Sequence, residues 1–339
     1  MCGDTIFAPF FASQTVDMEK VMRQLMTLSV LVLVIASCGH GHRADNLSGK
    51  SVADSMAVAD SGLWRIAVTP TLDCLPLMVA AERGFFVSSG VRVALCMYDS
   101  QMDIDTALQR RRVDGGMTDL VRASRLERDG LVLRRFSATD AMWQLLSKRT
   151  ARIRQLKQLD DKMVAMTRYS ATDMLSDMAV DSAGLKTERV FRIQVNDVSV
   201  RLGMLQNDIM DAMFLPEPQA TAARNLKAHV LMDSRTMGLR LGVLVFLEER
   251  LQGRDSQLQM LRRGYDIAVD SLNAYGCRHY SEIMQRYMGV TPAIVDSLEG
   301  VSPRFIHVAP PRKEDVSRVE DWWQKRIESM RYVEKRYIQ

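Results

Sequence analysis

A chain of 339 residues is long enough for two α/β lobes of ordinary size, which excludes a single small module. Its formal charge of +4 comes from 45 basic and 41 acidic residues with the signs interspersed, so no basic block tracks a phosphate backbone and no nucleic-acid partner is expected. Hydrophobic residues at 47% suit a globular body, and the 23 methionines read as core filler.

Residues 1–17 precede plausible starts at Met18 and Met22 and read as an upstream extension. The apolar run Leu25–Ser37 lies behind Lys20 and Arg23. It fits the hydrophobic stretch of a signal peptide, about 7–15 residues behind a positive flank. It falls short of the about 20 residues that span a bilayer. The run ends in Ile35-Ala36-Ser37-Cys38, which resembles a bacterial lipobox. That resemblance implies diacylation of the Cys38 thiol and a membrane anchor, each buried CH₂ contributing roughly 0.8 kcal/mol. An ordinary secretory signal or a buried apolar segment is the alternative. Removing residues 1–37 takes away Asp4, Asp17 and Glu19 against Lys20 and Arg23, so the mature part is more positive than the whole. Such a balance suits an anionic solute. Beyond Cys38 the cysteines are Cys74, Cys96 and Cys277, an odd and widely spaced set with neither a disulfide framework nor zinc spacing. Buried free thiols are expected.

Residues 38–62 are small and polar and read as a flexible tether, with His40 and His42 incidental to it. At Trp64 the pattern WRIAVTP predicts a buried strand stopped by Pro70. A helix follows, capped by Asp73, with Pro76 in its first turn and Gly84 at its end. Strand VRVALCMY, a helix around ALQRRR, strand GGMTD, helix LVRASRLERD and strand LVLRRFSA come next. Strands alternating with helices predict a mostly parallel sheet flanked by helices. A second alternation begins near Met142. It runs through MWQLLSKR, the segment RIRQLKQLDD, strand KMVAMTR, a helix from Ser170, strand VFRIQVND, helix VSVRLGMLQND and strand IMDAMFL. AHVLMDS and RLGVLVFLEE add two strands, the latter a continuous apolar run that returns to the first lobe. The remainder is helical. In its last helix Val316, Val319, Trp323, Ile327 and Met330 form one buried stripe, with Trp322 and Trp323 as packing residues. The predicted division is 63–141 with 241–339 as lobe 1 and 142–240 as lobe 2.

The stretch Ile66–Leu120, with its Pro-containing loop, Gly84-Phe85-Phe86 turn, Ala-Leu helix and GGMTD strand, resembles the type II periplasmic substrate-binding proteins of nitrate, taurine, aliphatic-sulfonate and thiamine-pyrimidine uptake. Phe214–Ala223 resembles the second-lobe strand and helix of that family. The resemblance implies a two-lobed periplasmic binding protein type II fold with a helical C-terminal extension. It further implies a role as the substrate-binding lipoprotein of an ABC-type importer, facing the periplasm. Its expected partners are a small polar or anionic solute, a permease with its ATPase, and the membrane through the lipid anchor. A monomer without cofactor or metal is expected. A solute-sensing or assembly lipoprotein is the alternative. Eukaryotic pyrimidine synthases share the fold, but the cysteine-rich motif their resemblance implies is missing, and His229, His279 and His307 stand in no nucleophile or metal constellation. No catalysis is expected.

Ligands of open α/β sheets sit beyond the carboxyl ends of strands, where helix N-termini offer unpaired N–H groups. Four loops qualify. They supply Thr69, Thr71 and Asp73, then Thr118 and Asp119, then Ser170, Ala171 and Thr172, then Asn196 and Asp197. Ser170 and Thr172 read as oxyanion ligands or as plain N-caps. Asp119, Asp197 and Glu217 are candidates for a ligand amine, a helix cap or an ion pair between lobes. Trp143, near the crossing between lobes, stacks on a flat ligand or fills the hinge.

Overall fold

A computed structural model describes residues 62–301 and 304–337. The lipobox with Cys38, the apolar run before it, the tether through 61 and the side chain of Met330 lie outside what it describes.

Trp64, Ile66, Ala67 and Val68 are wholly buried, so β1 (Leu63–Val68) is a core strand rather than a half-solvated one. The chain continues through helices α1 (Leu75–Glu82) and α2 (Phe85–Ser88) to β2 (Arg92–Met97). Then come α3 (Gln101–Gln109), β3 (Gly115–Asp119), α4 (Leu120–Arg128) and β4 (Leu133–Ala138). Pro76 sits in the first turn of α1 and Gly84 takes a left-handed φ of 72°, as expected. Asp73 does not cap that helix. Leu72–Cys74 form a 3₁₀ turn of their own, so α1 begins two residues beyond Asp73, at Leu75, without a side-chain capping bond.

After residues 139–142 the chain enters β5 (Trp143–Ser147). It proceeds through β6 (Lys162–Met166), α5 (Ala171–Ser182), β7 (Val190–Gln194), α6 (Val198–Gln206), β8 (Ala212–Pro216), α7 (Gln219–Asn225) and β9 (His229–Asp233). RIRQLKQLDD contributes only a 3₁₀ turn at Leu156–Leu159. Residues 234–241 lead back to β10 (Gly242–Leu247), followed by α8 (Asp255–Tyr275), α9 (Ser281–Met288), α10 (Pro292–Glu299) and α11 (Lys313–Tyr337). The short α10, with Pro292 in its first turn, is an addition to the predicted elements.

The first sheet runs β2-β1-β3-β10-β4 and the second β7-β6-β8-β5-β9. β10 pairs antiparallel with β3 and β4, and β5 does the same with β8 and β9. The remaining pairs, β1 with β2 and β3, and β6 with β7 and β8, are parallel. Each lobe is therefore mostly parallel with one reversed strand, and each reversed strand is the first one reached after a crossing. β10 comes so close to β3 that a Cβ on Gly115 would lie 2.5 Å from the Val245 carbonyl. The two crossings also press together. A Cβ on Gly242 would meet Ala141 Cβ at 2.5 Å, and the Thr139 N–H donates to the Gly242 carbonyl at 2.9 Å.

One apolar core passes from Ala67, Ile104 and Val121 through Val319, Trp322 and Trp323 to Leu145, Val164 and Leu175, joining both lobes. A second core on the other face of the first sheet gathers Trp64 and Phe246 with residues of α1, α8, α9 and α10, among them Met78, Tyr265, Met284 and Leu298. Val319 and Trp323 are buried, and Val316 and Ile327 half-buried, as the stripe predicted. Cys74 and Cys277 are buried free thiols and Cys96 is a half-buried one. No helix among the described residues is long and apolar enough to cross a membrane.

Candidate functional site

The carboxyl ends of β1, β2, β6, β7 and β8 face one another across the two lobes. Reversed β5 brings its amino end, Trp143, to the same edge. Between them lies a cleft walled by side chains of both lobes, the concave setting with a few placed polar groups that small-molecule sites favour. Thr69, Thr71, Asp73, Asp99, Ser100 and Gln101 line it from the first lobe. Trp143, Thr167, Ser170, Thr172, Asn196, Val198, Arg201 and Pro216 line it from the second.

Of the predicted positions, the cleft gathers Thr69, Thr71, Asp73, Trp143, Ser170, Thr172 and Asn196. The other five are not in its wall, each for a local reason. Thr118 is fully buried within β3. Asp119 caps α4, its Oδ1 accepting from the Arg122 N–H at 3.0 Å. Ala171 is the buried first residue of α5. Asp197 caps α6 by accepting from the Ser199 and Val200 N–H groups at 2.7 and 3.1 Å. Glu217 accepts from the Thr221 N–H and hydroxyl at 2.9 and 2.7 Å and pairs with Arg224 at 2.8 Å, all within its own lobe.

The hydroxyls that reach the cleft are also laced into their loops. Thr69 and Thr71 share a hydrogen bond at 2.9 Å. Ser170 donates to the Thr167 carbonyl at 2.7 Å and accepts from the Thr172 N–H at 3.1 Å, while the Thr172 hydroxyl accepts from the Thr167 N–H at 2.9 Å. Ser170 is thus the N-cap of α5 and a cleft residue at once, and its donor is already committed.

Arg201 is the buried cation of the cleft wall. It lies in the first turns of α6 and is 3% exposed. Its Nε donates to the Val195 carbonyl at 2.7 Å, Nη1 to the Phe214 carbonyl at 2.7 Å and Nη2 to the Thr167 hydroxyl at 2.6 Å. A guanidinium carries five N–H donors, so each terminal nitrogen keeps one more. No carboxylate among the described residues forms an ion pair with it. Burial pulls its pKa down to about 10, against the opposing field of Asp197. Burying a cation without a paired carboxylate is costly unless another anion completes the site. Asp73, at the opposite wall, has its carboxyl raised by burial, although the Thr71 hydroxyl opposes the shift.

Beneath the cleft, Asp119 is fully buried between the lobes, near the Ala171 N–H. Burial pushes its carboxyl up to about 6, although Arg122 favours the charged form. A raised carboxyl stabilises the fold in full below the unfolded pKa of 3.8, and that contribution is lost as pH rises toward 6. Asp119→Asn keeps the cap but cannot ionise. We expect its melting temperature to match the wild type near pH 4 and to exceed it above pH 6, by a stability gain on the order of 2 kcal/mol. Equal melting temperatures at pH 7.5 would show that burial does not hold this carboxyl up.

Arg201, Thr167, Val198, Pro216 and the loop Asp99-Ser100-Gln101 were not read from the sequence. The loop follows the carboxyl end of β2, and Ser100 caps α3 by accepting from the Asp103 N–H at 3.3 Å, so the rule that found the other loops applies to it too. The signal for Arg201 is its place as the only charged residue in VSVRLGMLQ. No group of metal-ligating side chains occurs among the described residues.

Two five-stranded sheets of one strand order, joined by two crossings over a shared polar cleft, define the two-lobed periplasmic binding protein fold of type II. The chain belongs to the NMT1/THI5-like family, whose model matches residues 71–285. No curated protein gives a sequence match. Among solved structures, the chain is similar to the periplasmic aliphatic sulphonate binding protein of Escherichia coli, with a TM-score of 0.65 and 15% identity over 78% of this chain and 88% of that one. The alkanesulfonate-binding protein of Xanthomonas axonopodis pv. citri, bound to MOPS, gives a TM-score of 0.66 and 15% identity over 77% and 90%. The periplasmic nitrate-binding protein of Synechocystis PCC 6803 gives 0.62 and 13% over 69% and 68%. At these identities the likeness is one of fold.

Proposed function

We propose that this protein captures a small anionic organic solute between its lobes and delivers it to the permease of an ABC-type importer, without catalysing a reaction. The observation that carries the reading is Arg201, a buried cation with free donors in the wall of a two-lobed cleft. Hydroxyls from both lobes surround the cleft, so closing the lobes desolvates the solute and strengthens its bond to the guanidinium. The named neighbours of the same fold bind sulfonates or nitrate, which agrees with an anionic cargo. The lobes in this reading are 63–141 with 241–339, and 142–240. Acyl chains on Cys38 hold the mature protein to a membrane, facing the periplasm.

The test is thermal unfolding with a panel of ethanesulfonate, nitrate, short carboxylates and pyrimidines beside the uncharged ethanesulfonamide. A ligand that binds only the folded state adds about 2.7 kcal/mol at one hundred times its dissociation constant. An anion is expected to raise the melting temperature while the sulfonamide does not. A panel in which no anion does so removes the reading.

A further inference from the structure

Three parts of the molecule meet on α11. At its start, Arg312 donates to the Gly238 carbonyl at 2.5 Å, and buried Asp315 accepts from the Arg240 N–H at 3.4 Å, both on the second crossing. On the first lobe, the Trp323 indole N–H donates to the Val121 carbonyl of α4 at 3.1 Å, and Glu320 accepts from the Ser124 hydroxyl at 2.8 Å and pairs with Arg128. On the second lobe, the Trp322 indole N–H donates to Asp177 of α5 at 2.8 Å. Arg326 lies 3.6 Å from Asp173 and 3.5 Å from Asp177.

The second-lobe contacts lead to the cleft. Asp173 accepts from the Tyr169 N–H at 2.8 Å, one residue before the Ser170 cap. Tyr169 takes a left-handed φ of 56°, a conformation that a bulky side chain adopts only when its surroundings impose it. Its ring stacks on Trp323, with centroids 5.8 Å apart and planes 13° from parallel, and the Arg125 guanidinium of α4 lies 5.6 Å from its centroid. The cleft loop Thr167–Thr172 of the second lobe is therefore gripped by side chains anchored on the first.

We propose that α11 is a latch across the two lobes: it stays seated on α4, releases α5 when the cleft opens, and through Trp323 and Arg326 positions the cleft loop for its solute. The asymmetry follows from the bonds. The apolar stripe of Val319 and Trp323 is shared by both lobes, but the helix backbone packs closely on α4 and Trp323 donates to a carbonyl there, whereas the polar contacts with the second lobe are side-chain pairs and one ring face. Arg326 and Trp323 are positioning residues that act through Asp173 and Tyr169. The proposal names the moving part of the solute-binding reading and rests on it, but its test needs no solute.

Spin labels go on Val87→Cys in the first lobe and Val200→Cys in the second, both exposed sites, in a Cys96→Ser background. The label distance is measured by pulsed electron resonance with and without Trp322→Phe and Arg326→Gln. Trp322→Phe keeps an aromatic ring and Arg326→Gln a polar chain, while together they remove the bonds to Asp177 and Asp173. The pair is expected to add a population at longer distance and to speed amide exchange at Tyr169–Asp173 about tenfold, with the melting temperature checking that the fold persists. Trp322→Phe alone is expected to do the same to a lesser degree. An unchanged distance distribution overturns the latch, and so does a fall in melting temperature without lobe separation, which marks plain packing. A panel without any binding anion leaves both readouts standing, so the two failures are told apart.

Discussion

Arg201→Met is expected to weaken the capture of an anionic solute by about 2–5 kcal/mol, a factor of roughly 30 to several thousand, in a chain that still folds. The size follows from burial. An anion that meets Arg201 does so in a cleft where water competes weakly, and truncation leaves that anion desolvated and unpaired. Stability moves in two directions. Methionine leaves the Val195 and Phe214 carbonyls and the Thr167 hydroxyl without their donor, yet it removes a buried charge whose pKa is already pulled down to about 10. Arg201→Lys separates charge from geometry. It keeps the cation, loses the planar fork, and is expected to fall between wild type and methionine. Calorimetric titration with whichever anion raises the melting temperature measures all three. Equal affinity in wild type and Arg201→Met would remove the guanidinium from the binding site.

Trp64→Ala is expected to be the most destabilising single change considered, costing about 5 kcal/mol in urea unfolding. The indole is fully buried in β1 and meets the Phe246 ring edge-on at 5.2 Å, and Phe246 in turn meets Phe136 at 5.4 Å. One aromatic row therefore crosses β1, β10 and β4. The Arg254 guanidinium lies 3.7 Å from the indole centroid, and burial lowers its pKa. Emptying a large aromatic site costs about 3–5 kcal/mol, and the ring pair and the cation over the ring add about 0.5–2 kcal/mol each. That is a large share of the roughly 5–15 kcal/mol that holds an ordinary domain together. Trp64→Phe restores most of the ring and removes an indole N–H that has no partner among the described residues, so it should cost less than about 2 kcal/mol. Similar losses for both variants would show that the void is not what matters.

Where the cleft lies was legible from the sequence because strand ends are legible. A β-branched or apolar run followed by Thr, Ser, Asp or Asn marks a strand running into a helix cap, and that rule located Thr69, Ser170, Thr172 and Asn196. It could not tell which polar atoms face the cleft and which are spent on the loop. Asp119, Asp197 and Glu217 share the residue types of true cleft positions, but hydrogen bonds to helix N–H groups and to Arg224 turn them aside. Arg201 posed the opposite difficulty. Its burial is made by the ends of β7 and β8 and by Thr167, which local periodicity does not bring together. The caps followed the same divide: Ser170 is set by its own loop, whereas the 3₁₀ turn that displaces Asp73 is tied to the other lobe, with the Leu72 N–H donating to the Glu217 carbonyl at 2.8 Å.

The place of β10 also sets an order of assembly. All strands of the second sheet lie in one unbroken stretch, Trp143–Asp233, so that sheet has its full complement before β10 has been made. The first sheet begins to form earlier, yet it has an open slot between β3 and β4 until Gly242–Leu247 emerges. The lobe that starts first therefore finishes last. Until then the edges of β3 and β4 that later bond β10 stand unpaired, and an unpaired strand edge is a template for pairing with the wrong strand.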